Sequence, residues 1–251
     1  MKIKEALKIK NGDYILQKLL NKDKVWLHLN DNLEVPEEFF EILEKINSGY
    51  PIEYIFKEVE FFSDTFYIEE GVLIPRDDTE VVVERAINLI NNLQTSNDKI
   101  KVVDCCTGSG VIAIEIVKHT NAIVMATDIS EKALKVARVN VKKHNVDVEV
   151  KKCDLFNEVA DVLVANPPYV ESSWQKPNVY EPDIAFFAGD DGLDIVKEII
   201  LRAKDLGYKI AVIEIGYNQK ESLSKFLTNN VKKFDFFNDL AGNVRGVEII
   251  F

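Results

Sequence analysis

The sequence has little that suits a phosphate backbone, a membrane or a metal. Lys and Arg number 31 against 42 Asp and Glu, a formal net charge of −11. Binding to nucleic-acid backbones is driven by Lys and Arg that displace counterions, so this balance argues against a mainly phosphate partner and favours a protein substrate. The densest basic stretches, Lys142-Lys143 and Lys151-Lys152, read as solvated ends of elements. No apolar run approaches the roughly 20 residues of a membrane span, and Met1 to Lys10 lacks the apolar core of a signal peptide. The expectation is a cytoplasmic protein with no membrane or direct nucleic-acid partner. Only three cysteines occur, Cys105, Cys106 and Cys153, in no CxxC or Cys/His ligand spacing, so neither disulfide nor metal is expected. His28, His119 and His144 fall in unrelated segments beside no plausible nucleophile and read as surface or packing side chains.

What is present is ordinary globular composition, 251 residues with 47% hydrophobic and 29% charged, enough for one large core and a small appended domain. Residues 1–48 read as helical: Tyr14, Ile15, Leu19 and Leu20 form an apolar stripe, and Pro36, Glu37 and Glu38 open a further helix. Residues 49–77 turn aromatic and β-branched, with Phe61, Phe62, Phe66 and Tyr67 around Ser63 and Asp64, which predicts a hairpin linking two domains. Over 78–251, strands and helices alternate, with helices to about Leu93, over Glu131–His144 and Leu193–Leu206, and strands ending at Asp104, Thr127, Lys151, Ala165 and Ile215. The pattern predicts an α/β fold, a doubly wound and mainly parallel sheet with ligands at the carboxyl ends of its strands.

The word Asn166-Pro167-Pro168-Tyr169 closes one of those strands. An Asn side-chain oxygen and a backbone carbonyl held by prolines can together accept both hydrogens of a planar NH2 group, while an aromatic ring stacks on its plane. The lone pair of an amide or exocyclic amine is delocalised; accepting both hydrogens returns electron density to the nitrogen, so an electrophilic methyl held in line reacts without a strong base.

Upstream, a β-branched run leads into Asp104-Cys105-Cys106-Thr107-Gly108-Ser109-Gly110 and then an apolar helix. Strand, glycine turn and helix make a nucleotide cradle, because glycine permits a tight turn and close backbone approach. Asp128 ends the next strand, where a carboxylate can take both ribose hydroxyls. Gly108, Gly110 and Ala113 also fit the dinucleotide pattern of nicotinamide and flavin enzymes. S-adenosylmethionine fits better, since Asp104 can attract its cationic amine and the Asn-Pro-Pro-Tyr word supplies a methyl acceptor site.

These words together resemble the HemK-type protein glutamine methyltransferases, which act on the glutamine of the Gly-Gly-Gln motif of class-1 peptide chain release factors. The resemblance runs from about Gly49 to the C-terminus through Gly49-Tyr50-Pro51 with Tyr54, Ile74-Pro75-Arg76 with Asp78-Thr79-Glu80, Thr107-Gly108-Ser109-Gly110, Asn166-Pro167-Pro168-Tyr169, Glu181-Pro182, Asp191-Gly192-Leu193, Glu214-Ile215-Gly216 with Gln219, and Asp239, Ala241-Gly242 and Arg245. It implies a Rossmann-like S-adenosylmethionine-dependent methyltransferase sheet behind a small helical substrate-recognition domain. It implies that Cys106, Thr107, Gly108, Ser109, Gly110 and Asp128 hold the donor with Asp154 and Leu155 beside its adenine. Asn166, the Pro167 carbonyl, Pro168 and Tyr169 would position the glutamine amide, with Pro75 and Arg76 lining the pocket. Glu181, Asp191 and Glu214 would brace loops or touch substrate. The chain departs from the family at Cys106 and Lys57, where glycine is usual, and at Asp77, where proline is usual. A nucleic-acid amino-methyltransferase uses the same acceptor chemistry but brings a basic flank. A non-catalytic donor-binding assembly factor could keep the glycine turn but has little use for the acceptor word.

Overall fold

The computed structural model describes residues 1–93 and 99–251. It divides into two compact units, 1–57 and 58–251. The first holds helices α1 (Ile3–Ala6), α2 (Gly12–Leu20), α3 (Lys24–Leu29), α4 (Glu38–Asn47) and α5 (Ile52–Phe56). Its core is Ile3, Ala6, Ile15, Leu16, Leu27 and Phe39, all essentially without exposure. Helix α3 is short but capped, since Asp23 accepts from the Trp26 amide at 2.7 Å. Pro36 and the acids after it open α4, as their order requires.

The second unit begins with a hairpin, β1 (Glu58–Phe61) and β2 (Asp64–Tyr67). The sequence places this hairpin in a linker over 49–77; the structure corrects that. Residues 49–57, with α5, lie in the helical unit, and the hairpin belongs to the second unit, where Phe61 and Phe66 are buried in its core. Two large aromatics with no exposed face cannot act as a spacer.

There follow α6 (Glu80–Leu93), β3 (Lys101–Cys105), α7 (Val111–His119), β4 (Ile123–Asp128), α8 (Glu131–His144), β5 (Val148–Lys152), β6 (Val162–Ala165), α9 (Asp194–Asp205), β7 (Ile210–Glu214), α10 (Lys220–Asn230), β8 (Lys233–Asn238) and β9 (Val244–Ile250). The seven-stranded sheet has the order β5-β4-β3-β6-β7-β9-β8. β9 alone runs opposite to the other six strands. Alternate strand residues feed two cores: Val103, Leu163, Ala211 and Ile213 pack with α9 and α10, while Val102, Val124, Val162 and Val212 pack with α6 and α7. The chain winds outward from β3 to β5, then returns to the other side of β3 for β6, with Cys105 opposite Ala165. This reversal opens a crevice at the carboxyl ends of β3 and β6, where the glycine turn and the Asn-Pro-Pro-Tyr word both begin. Among the described residues no helix is long and apolar enough to cross a membrane.

Candidate active site

Leaving β3, the chain turns through three left-handed residues, Cys106 (φ 60°), Gly108 (φ 56°) and Gly110 (φ 86°). Hydrogen bonds pin the turn from below. Asp104 Oδ2 accepts from Thr107 Oγ1 at 2.5 Å and from the Ala113 amide at 3.1 Å. The Thr107 amide donates to the Thr127 carbonyl at 2.9 Å, and the Gly108 amide to Asp128 Oδ2 at 2.9 Å. The two glycines serve different ends. A Cβ at Gly108 would meet nothing within 4 Å, whereas one at Gly110 would lie 3.2 Å from the Ala137 side chain, so Gly110 permits α7 to pack on α8.

A cavity of about 200 Å³ opens above this turn. Cys106, Gly108, Asp128, Asp154, Leu155, Asn166 and Pro168 line it, so residues from both halves of the expected site share one cavity. Asp104, Thr107, Ser109 and Gly110 do not line it. Asp104 is wholly buried, which raises its carboxyl to about 7, and Oδ1 has no hydrogen-bond partner. Its place in the structure is to hold the turn, through Thr107 and Ala113. Ser109 is buried with its carbonyl bonded to Asn140. Asp128 is raised by burial, and its oxygens are each engaged by a backbone amide, Oδ2 by Gly108 and Oδ1 by Ser130 at 2.8 Å. Asp128 and Asp154 are the two carboxyl side chains on the cavity lining.

On the acceptor side, Asn166 Nδ2 donates to Thr79 Oγ1 at 3.1 Å. Pro167 is buried and Tyr169 half-buried, and neither is among the lining residues. The Tyr169 hydroxyl donates to Glu214 Oε1 at 2.9 Å; burial and the adjacent carboxylate push this phenol well up. The Tyr169 carbonyl accepts from Gln219 Nε2 at 2.8 Å. Tyr169 is thus anchored at both ends, and the expected stacking platform is not among the lining residues. Glu214 is wholly buried and raised to about 7, chiefly by desolvation.

Pro75 and Arg76 do not line the cavity either. Arg76 Nη2 lies 2.8 Å from both oxygens of buried Glu181, which also accepts from the Ile74 amide at 3.0 Å and Asn178 Nδ2 at 2.8 Å. The ion pair ties the segment before α6 to the loop after β6. Asp191 accepts from the Leu193 amide and Lys197, and Gln219 Nε2 also reaches its carbonyl. Glu181, Asp191 and Glu214 therefore all brace loops. The sequence reading missed the apolar lining, Val72, Leu73, Ile129, Ala133, Phe187 and Ile195, and the polar contact of Thr79. Ile129 carried a signal in sequence, an apolar residue placed directly after a strand-ending aspartate, and the structure leaves it 48% exposed.

Comparison with known proteins narrows this geometry to one chemistry. Residues 85–187 match the family described as Methyltransferase small domain. A release factor glutamine methyltransferase of Clostridium acetobutylicum is 34% identical, with 91% of each chain covered. One from Streptococcus pneumoniae is 36% identical over 86% of this chain and 81% of its own. Among solved structures, the human METTL16 catalytic domain, in complex with the MAT2A 3′UTR hairpin 6, superimposes with a TM-score of 0.57 at 18% identity, covering 72% of each chain, a likeness of fold. With a methyltransferase sheet, an acceptor word set on the same cavity as the glycine turn, and relatives this similar along nearly their whole length, the chain belongs to the release factor glutamine methyltransferases.

Proposed function

We propose that this protein is a cytoplasmic enzyme that transfers a methyl group from S-adenosylmethionine to the side-chain amide nitrogen of the Gly-Gly-Gln glutamine of class-1 release factors. The observation that carries the reading is Asn166. Its Nδ2 is committed to Thr79, so Oδ1 is the atom left to accept a hydrogen from an NH2 group, in the cavity that Gly108 and Asp128 also line.

The cavity suits the donor: Gly108 leaves open space where any other residue would project a Cβ, Asp128 and Asp154 are acidic, and Leu155, Ile129 and Ile195 are apolar. Cys106, Gly108, Asp128, Asp154 and Leu155 would hold it. When bound, S-adenosylmethionine supplies an electrophilic methyl on a cationic sulfur. Asn166 Oδ1 and the Pro167 carbonyl accept the two amide hydrogens, which orients the nitrogen and returns electron density to it. After transfer the surplus proton leaves the nitrogen to solvent. No histidine is required, and none of the three lines the cavity. The helical unit is assigned to gripping the protein substrate, and Val25 and Leu29 of α3, 67% and 80% exposed, support this.

The test offers labelled donor to purified release factor, DNA and ribosomal RNA in parallel. One added methyl on the Gly-Gly-Gln glutamine is expected, with nucleic acids at background, and Asn166→Ala lowers the rate about a hundredfold. Efficient methylation of nucleic acid with the release factor untouched would transfer the protein to the amino-methyltransferases of bases.

A further inference from the structure

Asn166 can serve the acceptor in only one of its two amide orientations, and its own chemistry does not choose between them. Rotated by half a turn, it would present Nδ2, a donor, to an incoming NH2 group. The contact with Thr79 decides the matter only if the Thr79 hydroxyl acts as acceptor, because a hydroxyl can play either role.

That role is set one step deeper. Thr79 is 2% exposed, and its side chain neighbours the wholly buried Glu214, whose charged form it favours. Tyr169 Oη donates to Oε1 of the same carboxylate, and Oε2 has no hydrogen bond of ordinary geometry. Arg245, held to Asp78 at 2.8 Å and Asp239 at 3.0 Å, adds positive charge nearby. A carboxylate accepts and does not donate, so it draws the Thr79 proton toward itself and leaves the threonine lone pairs to Asn166 Nδ2.

We propose that Thr79 and Glu214 are positioning residues that set the amide orientation of Asn166, the Glu214 carboxylate polarising the Thr79 hydroxyl so that Asn166 turns Oδ1, not Nδ2, toward the acceptor. The same buried carboxylate anchors the Tyr169 hydroxyl, so one group holds both ends of the acceptor word. The proposal rests on the methyltransferase reading above.

The experiment uses the full chain with Thr79→Val, which keeps the shape and removes the hydroxyl, and Thr79→Ser, which keeps the hydroxyl. Thr79→Val should lower kcat about tenfold to a hundredfold while S-adenosylmethionine affinity by calorimetry holds, and Thr79→Ser should recover most of the rate. In 15N-labelled protein, the Asn166 side-chain amide resonance, assigned by its loss in Asn166→Asp, should shift in Thr79→Val and stay near its place in Thr79→Ser. If Thr79→Val fails to fold, Glu214→Gln replaces it, with the same expected fall in kcat and the same amide shift. Wild-type kcat in Thr79→Val, a serine variant as slow as the valine one, or an unmoved resonance would each overturn the relay. A wild-type protein that methylates no release factor defeats the proposed function instead, and the resonance still reports on the relay.

Discussion

Asn140 Nδ2 donates to the Ser109 carbonyl at 2.8 Å, joining the middle of α8 to the glycine turn. The same side chain pairs with the Tyr67 backbone, Nδ2 to its carbonyl at 2.9 Å and Oδ1 from its amide at 2.6 Å. One buried amide therefore fastens hairpin, helix and turn. Asn140→Leu leaves three backbone groups without this partner and should cost at least about 3 kcal/mol, since each buried unsatisfied group costs roughly 1–3. Urea denaturation measures it, and donor affinity should fall with it as the turn loosens. Stability within about 0.5 kcal/mol of wild type would mean that water replaces the amide.

Asp128 both lines the cavity and fixes the Gly108 amide. Asp128→Ala removes a charge-assisted contact worth about 1.5–3 kcal/mol, and so should weaken S-adenosylmethionine binding roughly tenfold to a hundredfold by calorimetry. Asp128→Asn, which keeps an oxygen for one backbone amide, should fall between the two. Undiminished affinity in the alanine variant, or preference of the intact protein for a nicotinamide dinucleotide, would remove the donor assignment.

Two of the family's usual glycine positions carry side chains here, Lys57 and Cys106, and both adopt left-handed backbone, φ 56° and 60°. Lys57 is exposed at the C-cap of α5, so its replacement loses no packing. A left-handed non-glycine residue costs roughly 1–2 kcal/mol, against which glycine loses about 0.5–1 in chain entropy. Lys57→Gly should therefore stabilise the helical unit by about 0.5–1 kcal/mol in thermal or urea melts. Cys106→Gly gains less, because Cys106 is half-buried and packs on the core. A destabilised Lys57→Gly would show that the lysine side chain holds this end.

These positions also mark how far the sequence could be read. Helix α8 was legible to the residue, because Ser130 caps it, Glu131 opens it, and Lys142, Lys143 and His144 close it. The glycine turn was legible because its backbone demands leave few residue choices. The hairpin's place was not, since aromatic alternation marks a strand without saying which core will cover Phe61 and Phe66. Thr79 stood in a recognised word, but its contact with Asn166 escaped notice for a different reason. It reaches Asn166 across 87 residues of chain, and Glu214 meets Tyr169 across 45, both only after β6 is seated between β3 and β7. Side chains that work through register carry no local signature. Asp104 was expected to meet the donor and instead holds the turn, because nothing in the sequence says which way a strand-end carboxylate faces.

Burial raises Asp104, Glu115 and Glu214 each to about 7, and the sign of the consequence follows from linkage. Between the ordinary carboxylate range and about 7, the folded protein keeps protons that the unfolded chain has released. Stability should fall as pH rises through that window and level off above it. Asp13, Asp161 and Asp191 are lowered, mainly through Lys24, Lys209 and Lys197, and their contributions are lost only in more acidic solution. Maximum stability is therefore expected near pH 5, and urea midpoints at pH 5, 6 and 7.5 should decline in that order, by less in Glu214→Gln. Activity should run the other way. Glu214 faces Thr79 and Asp78 before α6, Tyr169 after β6 and Arg245 on β9, and its charged form is acceptor-only, whereas protonation turns one oxygen into a donor. The kcat for release factor should rise with pH through about 7, and Glu214→Gln should be slow and flat across the range. A midpoint that climbs from pH 5 to 7.5 would show that these carboxyls are solvated in the folded protein, and a Glu214→Gln profile still rising through 7 would move the titration to another group.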